Sequence, residues 1–170
     1  GNLEKTLLPD TTYDTNWTNK IGSETVSLHY FGAGHTSGDT LIHLENANVV
    51  HMGDLMFNHR IPNIDAPAGA SIKSWIKVLK QTRKTFDKDT LYIFGHAAEG
   101  FEVTGSAADL KEMEIYLKKL LRYVKKEQNK GTSLEQLKEK TETIPKAEGW
   151  VGERFKNVNL QVAWDELSKG

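Results

Sequence analysis

Apolar and polar positions alternate between Thr25 and Phe31. Val26, Leu28 and Tyr30 fall on one side, and Thr25, Ser27, His29 and Phe31 on the other. A period of two is the mark of a strand, and Gly22-Ser23-Glu24 supplies a turn back to Lys20-Ile21, so a hairpin is expected here. A second hairpin is expected where Thr40–Leu44 and Val49–Met52 flank the turn residues Glu45-Asn-Ala-Asn48. Later the period changes. Ile72, Trp75, Ile76 and Leu79 recur at helical spacing behind Ser71, a good N-cap, which predicts a helix running to about Phe86. Thr90–Phe94 is a short run of mostly β-favouring residues. Ser106 and Asp109 form a capping box for a long helix to about Gln128, lined by Leu110, Met113, Leu117, Leu120, Leu121 and Val124 and closed by Gly131. Two shorter helices are expected near Ser133–Thr141 and Asn157–Leu167. Residues 1–19 read as an extended lead-in, and the segment from Phe57 to Ala70, with Pro62, Pro67 and Gly69, reads as a long loop of the functional kind.

Strands early and helices late predict an α+β fold, a mostly antiparallel sheet with helices on one face. The 170 residues fit a single domain spanning 1–170. A net charge of −1 gives no electrostatic case for nucleic acid or for an anionic membrane, and no apolar run approaches transmembrane length. The chain has no cysteine, so any metal must be held by histidine and carboxylate.

That restriction directs attention to three places. Gly34-His35-Thr36 sits on a glycine-bounded loop before the second hairpin. Gly53-Asp54 follows its last strand, and Gly95-His96 follows Thr90–Phe94. Neutral imidazoles and a carboxylate suit zinc or iron(II), so three strand-end residues of ligand type beside glycines predict one shared edge where an ion could sit. Each also has a plain structural reading, as a polar residue bonding nearby backbone N–H groups. Asp39 and Thr36 are expected to brace the His35 loop through local hydrogen bonds. His29, His43 and His51 lie within strands and read as structural. Lys118, Lys119, Arg122, Lys125 and Lys126 read as a solvated helix face, Trp75 as core, and Trp17, Trp150 and Trp164 as either core or pocket.

In order and local context these motifs resemble the third, fourth and fifth metal motifs of the metallo-β-lactamase superfamily, binuclear metallohydrolases built as an αββα sandwich. The resemblance is to the second half of that fold. It implies two zinc ions, with His35 serving one, His96 the other and Asp54 bridging them as ligand and catalytic residue. It also implies a shared water acidified by the two ions, whose hydroxide attacks a polarised carbonyl. His59, in the loop after Asp54 where the family lines its substrate pocket, is the expected substrate-binding residue. Aspartate at the bridging position is unlike the β-lactam-hydrolysing members and like the thioesterase, lactonase and general hydrolase branches. The first-half signature His-x-His-x-Asp-His does not occur, since no two of the six histidines stand two apart. The expectation is therefore half of an αββα sandwich, a fragment of a hydrolase whose parent acts on a small-molecule ester, thioester, lactone or amide, and which is catalytically incomplete alone. The alternative is a non-catalytic half-domain that associates with a missing N-terminal half, or with a second copy of itself through an exposed sheet face.

Overall fold

The computed structural model describes Pro9 and residues 11–169. A six-stranded sheet runs in sequence order: β1 (Asn16–Ile21), β2 (Glu24–His29), β3 (Leu41–Leu44), β4 (Val49–Asn58), β5 (Leu91–Ala97) and β6 (Thr104–Gly105). All neighbours are antiparallel except β4 and β5, which are parallel because the crossover between them carries α1 (Ile72–Thr85). Then come α2 (Ala107–Asn129), α3 (Leu134–Lys140) and α4 (Lys156–Ser168).

The caps read from the sequence are present. The Ser71 side chain accepts from the Ser74 amide, and Ser106 and Asp109 form the reciprocal box that starts α2. Most of the expected apolar stripes become the core: Ile72, Trp75 and Leu79 from α1, joined by Val78, and Leu110, Met113, Leu117, Leu120 and Val124 from α2 are fully buried, while Ile76 and Leu121 are half-buried against them. They cover one sheet face, where Leu41, Val50 and Tyr92 are also fully buried. The opposite face shows the other half of each alternation. Trp17 pairs with Leu28, Leu28 with Ile42, Ile42 with His51 and His51 with Ile93, so these side chains share one surface. Ile42 there is 38% exposed and Leu91 45%.

Four expectations are corrected. The lead-in, part of which lies outside the described residues, ends by Asn16, where β1 begins. Asp54 is not past a strand end, because β4 continues to Asn58. Gly53, at φ +51°, sits between two register shifts, and that irregularity breaks the alternation that makes a strand visible in sequence. Likewise β5 runs through His96 to Ala97, and β6 is two residues long. Finally, Lys118 is not on a free face: with Lys111 and Arg83 it donates to the buried Glu114 carboxylate, joining α1 to α2.

Candidate metal centre

The His35 loop lies between β2 and β3 and is tied by one carboxylate. Asp39 Oδ2 accepts from the amides of Gly34 (3.1 Å) and Thr36 (2.8 Å), and its Oδ1 from the Thr36 hydroxyl (3.0 Å). This is the bracing role expected of Asp39 and Thr36, and it leaves His35 at the crown of the turn. The His35 ring is 14% exposed and packs 6.0 Å from both Phe57 and Trp75, centroid to centroid. Trp75 is anchored by its indole N–H, which donates to the Leu55 carbonyl at 3.0 Å.

Asp54 stands between the two histidines. Its Oδ2 is 3.8 Å from His35 Nε2, and its Oδ1 is 3.4 Å from His96 Nε2. A methyl group at position 95 would overlap Asp54 Oδ1 and the Gly53 carbonyl, so Gly95 is what lets the carboxylate lie against β5. The His96 ring stacks on Phe57 at 4.7 Å, which makes Phe57 a common floor under both imidazoles. Asp54 and His96 are 41% and 42% exposed, so the site opens to solvent. Together with Phe57, Arg60, Asn63 and Phe155, the three residues line a cavity of about 250 Å³.

The donor set fits zinc in kind. Two ligands on one tetrahedral ion with bonds near 2.0–2.1 Å stand about 3.3 Å apart, close to the separations of Asp54 from each imidazole. Each carboxylate oxygen faces a different histidine. In number the set is short. No group of three or more ligand residues that could hold one ion is present among the described residues.

His59 is elsewhere. It lines a neighbouring cavity of about 280 Å³ with Glu112, Lys119, Lys146, Glu148 and Trp150. The residue beside it, Arg60, is the one that reaches the His35 cavity. Arg60, Asn63 and Phe155 escape sequence reasoning. Only the flagged loop from Phe57 to Ala70 hints at the first two, and Phe155 arrives through tertiary folding. His29 and His43 pack around Phe86, at 5.5 and 4.8 Å, away from this centre. Burial, with His43 adding to it, holds the His29 imidazole below its usual value. His51 is exposed, and its Nδ1 accepts from the Gly53 amide at 3.2 Å.

No protein-family profile matches the chain. A stretch of 77 residues is 26% identical to metallo-β-lactamase IND-1 of Chryseobacterium indologenes, covering 45% of this chain and 32% of that protein. Among solved structures, a metallo-β-lactamase from Pontibacter korlensis superposes with a TM-score of 0.55 at 23% identity, over 65% of this chain and 49% of its own length. This is a metallo-β-lactamase-fold protein. The sec-alkylsulfatase Pisa1 from Pseudomonas sp. matches the same fold more extensively, at a TM-score of 0.67 over 93% of this chain, but at 14% identity and over 26% of its own length. These relatives belong to a superfamily of metal-dependent hydrolases. The matched region spans half or less of the length of each of them.

Proposed function

We propose that this chain carries part of a binuclear zinc hydrolase centre, for a small-molecule ester, thioester, lactone or amide. The observation that carries the reading is the Asp54 carboxylate, whose two oxygens face two different imidazoles at 3.4 and 3.8 Å. His35 and Asp54 Oδ2 would hold one ion, and His96 and Asp54 Oδ1 the other. Bound there, zinc supplies Lewis acidity, which acidifies water and polarises a carbonyl.

The chain's own residues do the rest. Asp54 joins the two positions through its two carboxylate oxygens. Arg60 and Asn63 are donors on the cavity wall, suited to an anionic group or carbonyl of the substrate. Phe57 and Phe155 give apolar surface that limits water. Two protein ligands per ion are fewer than the four of a closed site, or the three of a catalytic one. The chain alone is therefore expected to bind zinc weakly and to turn over ester and lactam reporters poorly.

Zinc titration by calorimetry tests this reading. Native chain should bind with an affinity that Asp54→Ala lowers by about tenfold or more. Equal binding by the native chain and Asp54→Ala, or robust chelator-sensitive turnover insensitive to His35→Ala, would overturn it.

The apolar sheet face favours a second reading, a half-domain that associates with itself. Burying ~600 Å² of that face at ~25 cal/mol per Å² would be worth about 15 kcal/mol gross. Association costs roughly 4–15 kcal/mol, so a two-fold pair is energetically accessible. A monomer at micromolar concentration by sedimentation, with no binding of a hydrophobic dye, contradicts this second reading.

A further inference from the structure

We infer that His59 is a positioning residue for the candidate centre, a proton-dependent latch that fixes Arg60 and Phe155 at the mouth of the cavity. The inference rests on reading the His35–Asp54–His96 cavity as the reacting site, but its first observations do not involve metal. His59 adopts φ +54°, a left-handed backbone that a residue with a side chain rarely takes, so surrounding contacts must hold it. They are numerous. The ring stacks on Phe101 at 3.9 Å and 10°, and on Trp150 at 5.5 Å and 19°, and Trp150 in turn stacks on Tyr116 at 4.3 Å. The column joins the β5–β6 loop, the chain after β4, the segment before α4 and α2.

The ring edges carry the chemistry. Nδ1 lies 3.2 Å from the Gly149 carbonyl, and Nε2 lies 3.0 Å from Glu112 Oε2. Both neighbours can only accept. A neutral imidazole has one N–H and satisfies one of them, whereas the doubly protonated ring donates to both. Other charged groups facing this cavity are Lys119 from α2, and Lys146 and Glu148 from the segment before α4. Lys119 donates to the Lys146 carbonyl, and Glu148 accepts from the Lys146 amide, so Glu112 is the carboxylate left to the ring. Glu99 and Glu102 flank Phe101 in sequence, and the structure gives neither a bond to the imidazole.

The latch reaches the site through the backbone. The Val151 amide donates to the His59 carbonyl at 3.0 Å, and the Ile61 amide to the Val151 carbonyl at 2.7 Å. Arg60 lies between those bonds, and Phe155 follows four residues beyond Val151. Both line the His35 cavity. A proton on His59 thus tightens the segment that supplies one wall of the site.

Amide exchange on the zinc-free native chain reads the latch, so a failure of the zinc reading leaves this result intact. Protection at Val151 and Ile61, normalised to the core amides of Val78 and Leu79, should rise about threefold between about pH 8 and pH 6. In His59→Phe, which keeps the stacking and loses both donors, that dependence should vanish while the core amides stay protected. Glu112→Gln should reduce it. His59→Phe should also move the ring resonances of Phe155 and leave those of Trp75 in place. Protection at Val151 that does not vary with pH in the native chain, equal pH dependence in His59→Phe, or unmoved Phe155 resonances would each overturn the latch.

Discussion

Replacing Glu114 by glutamine keeps the shape of a buried side chain and deletes its charge. The carboxyl is 1% exposed and accepts from Lys111, Lys118 and Arg83, the last reaching across from α1. Burial alone pushes a carboxyl up, but hydrogen bonds from Lys118, Lys111 and Arg83 outweigh it and hold Glu114 at about 2, against an ordinary 4.5. Two and a half units at ~1.4 kcal/mol each give about 3 kcal/mol of stability at neutral pH. Because the folded value is depressed, that contribution is whole above the unfolded value of 4.5 and drains away as pH falls towards 2. About 2 kcal/mol should be lost between pH 5 and pH 3. Thermal melts at pH 7 should therefore place Glu114→Gln roughly 6–12 °C below the native chain, and urea midpoints should show the native chain losing more stability than the variant on acidification. A variant that melts within about a degree of native, or that shares the native pH slope, would refute the claim that this charged hub stabilises the helix layer.

Gly95→Ala should push the Asp54 carboxylate off β5 and, because the methyl also overlaps the Gly53 backbone, force β4 and β5 apart there, weakening zinc binding about tenfold or more by calorimetry and lowering the melt. Asp39→Ala removes three hydrogen bonds from the His35 loop and should lower stability by roughly 1–3 kcal/mol in urea titrations, with faster exchange at Thr36. Ile42→Asp, on the exposed sheet face, should abolish concentration-dependent association in sedimentation while leaving the circular dichroism spectrum in place. His29, held below its usual value by burial, should cost the fold stability as pH falls below the ordinary histidine range; His29→Leu should flatten that slope in denaturant titrations across pH 5–8.

What the sequence disclosed follows from the range over which each signal acts. Ser106 with Asp109, and Ser71 before its apolar stripe, are local devices, and both caps stand where the pattern put them. The three metal-type residues were legible because each sits beside a glycine, and the structure brings His35 and His96 onto the two oxygens of Asp54. The strand around Asp54 was misjudged for an equally local reason. Gly53 and the register shifts on either side of it erase the two-residue period, so β4 looked finished at Met52. Arg60 and Phe155 were beyond reach. They meet at the cavity because the chain on either side of Arg60 bonds to Val151, a contact across ninety residues that no periodicity announces. Trp150, for which the sequence leaves core and pocket open, does both: it stacks on Tyr116 and lines the cavity beside His59.

The proposed metal-binding face of this chain is formed by His35, Asp54 and His96. Long-range proton–nitrogen spectra of the six histidines, recorded during zinc titration, are the sharpest test, because the four rings outside the site act as controls for His35 and His96. The Nε2 resonances of His35 and His96 should shift together as zinc is added, Asp54→Asn should weaken both responses, and His29, His43, His51 and His59 should stay in place. Shifts confined to the exposed His51, or responses of His35 and His96 that survive Asp54→Asn unchanged, would contradict it.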